Sequence, residues 1–336
     1  MTKPVFSKPF TQQEAIPEAG IARAVEIMKT GRLHRYNLLP DEAGEAAALE
    51  MEYATWQGAD YCIACTSGGY AIQLGLRVCG VKPGDKVLAN AYTLAPVPGA
   101  IHNVGGVPVL VDIDESYHID FDDLDAKAAA SGAKYLLLSY MRGHIPNMDK
   151  LLAVCAKYDI CLIEDCAHTM GATWNGVPSG RQGTFGCYST QTYKHINSGE
   201  GGFLISDDPD LMARAIILSG SYMLFERHKA APPKEAFDKV RLVTPNVSGR
   251  MDNLRAAILR PQLADRMVGA SFVLGLSNAQ KVSYFAPSRI HCLRVFFSFS
   301  VIASRFESGG GMMSSSSSVV MRYHNSLFSK SPGTRD

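Results

Sequence analysis

Two charged side chains stand where an apolar run meets a polar turn, and together they suggest covalent amine chemistry. Asp165 follows the apolar run 160–164, and the carboxyl end of a parallel strand faces the ligand crevice of an α/β sheet. Lys194 lies between hydroxyl-bearing residues and a glycine-rich turn, and a lysine whose pKa is lowered forms an imine with an aldehyde. The alternatives are a helix N-cap for Asp165 and a solvated surface position for Lys194.

A candidate anion site comes earlier in the chain. The turn Thr66-Ser67-Gly68-Gly69 follows the apolar run 61–65 and opens an apolar helix. Glycines at such a turn let a phosphate approach backbone N–H groups and the positive end of the helix dipole, although the same turn also occurs with nothing bound. A reactive lysine, an acid for a pyridinium nitrogen and an anion cradle are together what pyridoxal phosphate requires.

Short apolar runs alternate with amphipathic stretches between residues 60 and 206, which is the pattern of parallel α/β units. The predicted strands are 61–65, 86–90, 107–113, 134–140, 160–164 and 202–206. The predicted helices are 21–29, 42–56, 69–78, 95–104, 121–130, 149–158 and 209–219. Because parallel sheets are covered on both faces, we expect an α/β fold: a three-layer α/β/α sandwich with a mostly parallel sheet.

Composition limits the partners and the compartment. The chain has 336 residues, 46% of them hydrophobic, and a formal net charge of +1, which offers no overall field for nucleic acid. No segment is typical of a membrane span or a secretory signal, so we expect a cytoplasmic protein without membrane or nucleic-acid partners. Cys62 and Cys65 form a CxxC. Since no second ligand pair and no redox helix accompany them, we interpret them as buried structural thiols and expect no metal site.

The composition changes near residue 266. Residues 267–336 contain seven Lys or Arg, two acids and 16 serines, and their glycine- and serine-rich run is typical of a flexible linker. We therefore predict an N-terminal helical segment (1–59), a cofactor-binding α/β domain (60–265) and a divergent, poorly ordered serine-rich tail (266–336).

The chain resembles the DegT/DnrJ/StrS family of pyridoxal phosphate-dependent sugar aminotransferases, which have the fold type I architecture. The resemblance covers about residues 18–263, and its most specific stretches are 81–87, 111–114, 163–168, 194–202 and 250–254. It implies the large domain of that fold and a homodimer with shared active sites. No match continues after Leu263, so the family's small C-terminal domain is divergent or missing, and one hypothesis is a frameshifted or misread gene end.

The resemblance also implies a role for each matching position. Lys194 falls on the Schiff-base lysine, and Asp165 on the partner of the pyridinium nitrogen. His168 falls where the family has a Gln or His beside the cofactor's phenolic oxygen. The phosphate would be held by the helix-opening turn and by a hydroxyl, namely Ser67, Gly68, Gly69 and Ser189.

Several positions depart from the family pattern. Gly69 stands where the family usually has Thr, so a hydroxyl is lost. Leu94 stands where an aromatic residue usually stacks on the pyridine ring, and Tyr92 is an alternative for that contact. Ser248 replaces an Asn that reaches the partner subunit's phosphate, and Asn246 lies close by.

The function implied by the resemblance is amino-sugar biosynthesis by a pyridoxal phosphate-dependent aminotransferase. An amino group would pass from glutamate or glutamine to a keto sugar or keto cyclitol by a ping-pong mechanism with a Schiff base at Lys194. Two alternatives are a non-catalytic or truncated family member and a sugar dehydratase, whose relatives replace the lysine by His. Segment 221–228 would either face the substrate or form an ordinary surface connection.

Overall fold

The computed structural model describes residues 14–268 and 282–284. The strands are Tyr61–Cys65 (β1), Lys86–Asn90 (β2), Val107–Val111 (β3), Tyr135–Ser139 (β4), Cys161–Asp165 (β5), Ala172–Trp174 (β6), Val177–Pro178 (β7), Phe185–Ser189 (β8), Gly202–Ser206 (β9) and Val282–Tyr284 (β10). The α-helices are Glu18–Thr30 (α1), Glu45–Gln57 (α2), Gly68–Val78 (α3), Pro96–Asn103 (α4), Phe121–Ser131 (α5), Met148–Tyr158 (α6), Pro209–Ile216 (α7), Glu235–Asp238 (α8) and Asn253–Val268 (α9).

Seven strands form the main sheet in the order β1-β9-β8-β5-β4-β2-β3. Strand β9 is antiparallel to both of its neighbours, and the other six strands are parallel to one another. The predicted mostly parallel sheet is thus confirmed. The carboxyl ends of β1, β5 and β8 lie at the same edge of the sheet because these strands run in the same direction.

The side-chain alternation of the strands creates two cores, one on each face of the sheet. In β4, Leu136 and Leu138 join the core covered by α2, α5, α6 and α9, whereas Leu137 joins the core covered by α3, α4, α7 and α8. Successive residues of a strand point to opposite faces, so an unbroken apolar run serves both cores. This arrangement confirms the three-layer sandwich.

Strand β8 was not predicted from the sequence. Its residues are all buried, but Gly186 and Ser189 interrupt the apolar pattern that identifies the other strands. Gly186 lies so close to another loop that a Cβ there would be 2.6 Å from the carbonyl oxygen of Gly180. The strand is therefore defined by its neighbours more than by its own composition.

The division into 1–59, 60–265 and 266–336 stays a prediction. Helix α2 packs against β1 and α9, and its Leu49 and Tyr53 are completely buried. Residues 1–13, 269–281 and 285–336, which include nearly all of the predicted tail, lie outside the described residues.

Cys62 and Cys65 lie in β1 and are 1% and 0% exposed, so the interpretation as buried thiols is confirmed. Burial raises the pKa of both thiols, as expected of unreactive cysteines. Across the described ranges, none of the helices combines the length and the apolar composition needed to cross a bilayer.

Candidate active site

Asp165 is the last residue of β5, and its carboxylate is buried. The Ser139 hydroxyl at the end of β4 donates to Oδ2 at 2.9 Å, and the Ala167 backbone N–H donates to Oδ1 at 3.2 Å. A turn, not a helix, follows β5, so the alternative of a helix N-cap is wrong. Burial raises the pKa of Asp165, while Ser139, Ala167 and the charge of Lys194 act to lower it.

The amine of Lys194 meets the His168 ring, with 2.8 Å between Nζ and Nε2. On the other side of the ring, the backbone N–H of Arg142 donates to Nδ1 at 3.2 Å. Because Nδ1 accepts a hydrogen bond, a neutral ring carries its proton on Nε2. That proton then points at Nζ, which accepts it only as an unprotonated amine.

The surroundings favour this neutral pair. Burial lowers the pKa of Lys194, and Arg142 lowers it further, against the opposing effect of Asp165. Burial also lowers the pKa of His168 to about 3, with Lys194, Arg142 and His195 acting in the same direction. Lys194 is half-buried and its amine contacts His168, which favours a site position over a solvated surface position. A neutral amine is the nucleophilic form of lysine.

The predicted anion turn opens α3 at the carboxyl end of β1. The Ser67 side chain caps the helix by accepting a hydrogen bond from the Tyr70 backbone N–H at 3.0 Å. The first N–H groups of a helix have no acceptor within the helix, so those of Gly68 and Gly69 are free of intrahelical bonds. Ser189, at the end of β8, lies against this first turn.

Glycine at position 68 is required by that contact. A Cβ on Gly68 would come within 2.7 Å of the Ser189 Cβ, whereas a Cβ on Gly69 would have its nearest atom at 3.8 Å. Gly68 therefore lets the helix N-terminus and a hydroxyl come together. Backbone N–H groups, the helix dipole and a hydroxyl are a donor set that suits phosphate.

These three groups fit pyridoxal phosphate. The candidate phosphate cradle, the Lys194 amine with its lowered pKa and the buried Asp165 carboxylate lie at or just beyond the carboxyl ends of β1, β8 and β5, which share one edge of the sheet. Asp165 and Lys194 are close enough that each changes the pKa of the other. An anion cradle, a nucleophilic amine and a carboxylate facing one crevice match the ends of that cofactor.

The loop after β2 holds the candidate ring contacts. Leu94 is 43% exposed, so its side chain is available to an apolar ligand. The Tyr92 ring is already packed at 5.1 Å from the Tyr117 ring and 6.2 Å from the His144 ring, measured between centroids. The hydroxyl of Thr93, which lies between Tyr92 and Leu94 in the sequence, is buried without a hydrogen-bond partner. Leu94 stays the predicted ring contact.

The segment 246–250 is tied to its own chain. Asn246 accepts a hydrogen bond from the Tyr222 backbone N–H at 2.9 Å, and the Arg250 guanidinium donates to the Ser248 hydroxyl at 3.0 Å. In the nearby 221–228 segment, Tyr222 is 51% exposed whereas His228 is buried. The segment 221–228 is thus buried at His228 and exposed at Tyr222.

Sequence reasoning missed Ser139 and Arg142, which support Asp165 and His168. Each is 26 residues from the side chain that it contacts, so no local pattern connects them. The available signal was position, because both lie at or just after the carboxyl end of β4.

The comparisons with known proteins agree on one family. A model of the DegT/DnrJ/EryC1/StrS aminotransferase family matches residues 18–268. An L-glutamine:2-deoxy-scyllo-inosose aminotransferase of Streptomyces lividus is 29% identical over 252 residues, which are 74% of this chain and 59% of that protein. A putative L-glutamine:3-amino-2,3-dideoxy-scyllo-inosose aminotransferase of Streptoalloteichus tenebrarius is 31% identical over 64% of this chain and 51% of its own length.

Solved structures agree. The crystal structure of 3-amino-5-hydroxybenzoic acid synthase superposes with a TM-score of 0.64 and 27% identity, covering 78% of this chain and 65% of that one. The fold is that of pyridoxal phosphate-dependent transferases of fold type I. The chain belongs to the DegT/DnrJ/EryC1/StrS aminotransferase family, whose cofactor is pyridoxal phosphate. It spans about half the length of the curated relatives described above.

Proposed function

We propose that this protein is an aminotransferase that moves an amino group from glutamine or glutamate to a keto sugar or keto cyclitol with pyridoxal phosphate as cofactor. The observation that carries the proposal is the contact of 2.8 Å between Lys194 Nζ and His168 Nε2, at a lysine whose pKa burial lowers. The named activities of the inosose aminotransferase relatives support the choice of donor and acceptor.

The cofactor would be held at both ends. The first turn of α3, with Gly68 and Gly69, and the Ser189 hydroxyl would bind the phosphate. Asp165 would hold a proton on the ring nitrogen, and Ser139 keeps that carboxylate oriented. When bound, pyridoxal phosphate supplies a carbonyl carbon for the amino group and a ring that takes up the electron pair of a carbanion.

Lys194 and His168 would hold and transfer the protons of the reaction. A neutral Nζ has a lone pair that can attack a carbonyl carbon or accept the proton from the α-carbon of an amino acid. His168 donates its Nε2 proton toward Nζ, so it both orients the amine and disfavours its protonation. The position of Arg142 fixes this tautomer through its backbone N–H.

Three finer statements belong to the same proposal. The protein would act in the cytoplasm and as a homodimer, with Leu94 as the ring contact. The sugar dehydratase alternative requires His at position 194, and this chain has Lys.

The decisive experiment compares Lys194→Ala with Lys239→Ala. Lys239 is exposed and pairs with Asp210 on the surface, so its loss serves as the matched control. We expect Lys194→Ala to abolish the absorbance band of the imine with the cofactor and to reduce turnover by about 10³-fold or more. Cofactor absorbance that is unchanged in Lys194→Ala contradicts the assignment of the lysine.

A substrate screen identifies the acceptor. Purified protein with cofactor is incubated with glutamine or glutamate and a panel of keto sugars and keto cyclitols, and the aminated product is measured by mass spectrometry. Amination of at least one acceptor, lost in Lys194→Ala and kept in Lys239→Ala, is the expected result. A protein that binds the cofactor but aminates none of them contradicts the proposed acceptor class.

A further inference from the structure

Two thiols meet at the end of β5 that lies away from the candidate active site. Cys161 is the first residue of β5, and Cys79 follows the last residue of α3. Their sulfur atoms are 3.2 Å apart although the residues are 82 positions apart in the chain. Both side chains are half-buried, so a small reagent can reach them.

The pair differs from the other described cysteines in its electrostatics. The Cys161 sulfur lies 3.2 Å from the Cys79 sulfur and 3.3 Å from the Thr184 hydroxyl oxygen, within hydrogen-bond distance of both. The hydrogen bond with Cys79 lowers the pKa of Cys161 to about 7, while the same contact raises the pKa of Cys79. By contrast, burial raises the pKa of Cys155 to about 11. Of the two thiols, Cys161 is therefore the one whose deprotonation the contact favours.

We propose that Cys79 and Cys161 are a modification site, a dithiol that hydroperoxides oxidise to a disulfide. The geometry supplies what such a site requires, an accessible thiolate with a second thiol in contact. The other described cysteines are either nearly completely buried or without a thiol this close. No part of the proposal depends on the aminotransferase activity.

The chemistry balances with the hydroperoxide as the oxidant. The Cys161 thiolate attacks the terminal peroxide oxygen, the O–O bond breaks, and the alkoxide or hydroxide leaves with the proton that Cys79 releases. Cys79 then attacks the resulting sulfenic acid at sulfur, the S–S bond forms and hydroxide leaves as water after protonation. The two thiols together lose two electrons. An alkyl hydroperoxide is thereby reduced to an alcohol and one water, and hydrogen peroxide is reduced to two waters.

The position of the pair separates it from the candidate active site. Three residues of β5 lie between Cys161 and Asp165, so four residue steps along the strand separate them by about 13 Å. Cys79 lies at the end of α3 opposite to the phosphate turn, about 16 Å along the helix. A disulfide would therefore join α3 to β5 without entering the crevice.

The test is a mild oxidation of the full-length chain with hydrogen peroxide. Free thiols are then blocked by alkylation and the peptides are analysed by mass spectrometry. We expect the first product to be a cross-linked peptide pair that contains Cys79 and Cys161 and has lost two hydrogen atoms. A reductant should reverse it. First oxidation at any other cysteine overturns the proposal.

Single variants distinguish the roles of the two thiols. In Cys79→Ser, Cys161 should stop at the sulfenic acid, which a dimedone probe traps. In Cys161→Ser, Cys79 should stay reduced. Cys155→Ser is the matched control and should form the cross-link at the wild-type rate. Equal oxidation of Cys161 to sulfinic acid in wild type and Cys79→Ser, without a cross-link, overturns the proposal.

A third variant tests the thiolate independently of oxidation. Thr184→Val removes the hydroxyl whose contact with the Cys161 sulfur lowers the pKa of Cys161, so the midpoint of the pH profile for alkylation of Cys161 should move upward. The alkylation profile of Cys155 in the same samples is the internal control. An identical profile for Cys161 in wild type and Thr184→Val contradicts that role of Thr184.

Discussion

Two neighbouring carboxylates on β5 serve different regions of the molecule. Glu164 faces the core beneath α2 and α9, where it accepts four hydrogen bonds, from the Tyr140 hydroxyl and from the backbone N–H groups of Gly180, Gln182 and Gly183. Asp165 faces the crevice and accepts two, from Ser139 and Ala167. The two side chains point to opposite faces because they are adjacent in a strand.

The difference separates a structural carboxylate from an available one. A carboxylate offers about four lone-pair sites, so the four donors at Glu164 use its capacity, whereas Asp165 keeps capacity for a ligand. Burial raises the pKa of both groups. A raised pKa alone therefore does not distinguish the two carboxylates, whereas the number of donors does.

Asp165→Asn is expected to give the largest effect. The amide keeps the size of the carboxylate but removes its negative charge, so it no longer favours a protonated ring nitrogen. We expect turnover to fall on the order of 10³-fold, with the chain still folded by circular dichroism. Turnover within a factor of two of wild type would place Asp165 in the same structural class as Glu164.

Glu164→Gln tests whether the Glu164 carboxylate has a structural role. The glutamine amide group is a donor that faces backbone N–H groups, so at least one buried donor loses its acceptor. We expect the free energy of unfolding to fall by about 3 kcal/mol, measured by urea denaturation. Glu26→Gln is the control, because the Glu26 side chain is 64% exposed. A neutral result at Glu164 would mean that the loop 179–183 is held by other contacts.

Gly68→Ala and Gly69→Ala test whether the first turn of α3 binds the phosphate of the cofactor. The Cβ at position 68 would push Ser189 away from the helix N-terminus, whereas position 69 has room. We expect Gly68→Ala to weaken binding of pyridoxal phosphate by about tenfold, or 1.4 kcal/mol, and Gly69→Ala to bind like wild type. Titration followed by cofactor absorbance measures both. Equal affinities would exclude the turn as the phosphate site.

His168→Gln is expected to give the smallest effect on stability at neutral pH, because its contribution changes only as the pH is lowered. The His168 pKa is about 3 in the folded protein against 6.5 for the free side chain, so the unfolded chain binds an extra proton between these values. Stability therefore falls as the pH is lowered from 6.5 toward 3. Urea denaturation at several pH values should show a shallower slope in His168→Gln, while the exposed His102→Gln keeps the wild-type slope.

Much of the fold could be predicted from the sequence, because local patterns define most elements. The strands 61–65, 86–90 and 202–206 were predicted to the residue. Strand β8 was missed because glycine and serine interrupt its pattern, and it is stabilised by pairing with β5 and β9. The end of β5 was placed one residue early, because an aspartate is atypical of a buried strand.

The site was predictable in residue type but not in protonation. The sequence indicated Asp165, Lys194 and the glycine turn, since each follows an apolar strand or opens a helix. It gave no sign that the backbone of Arg142 fixes the His168 tautomer. That contact depends on how the loops after β4 and β5 pack together.

The sequence by itself determined where strands and helices follow one another along the chain and which residue types stand at their ends. Hydrophobic periodicity and turn propensity, which define these elements, act over a few neighbouring residues. Only the tertiary structure decided which of those ends meet. Lys194 and His168 are 26 residues apart, and Cys79 and Cys161 are 82 apart. The strand order and register of the sheet bring each pair together, and burial and the contacts made there shift the pKa values of the paired groups.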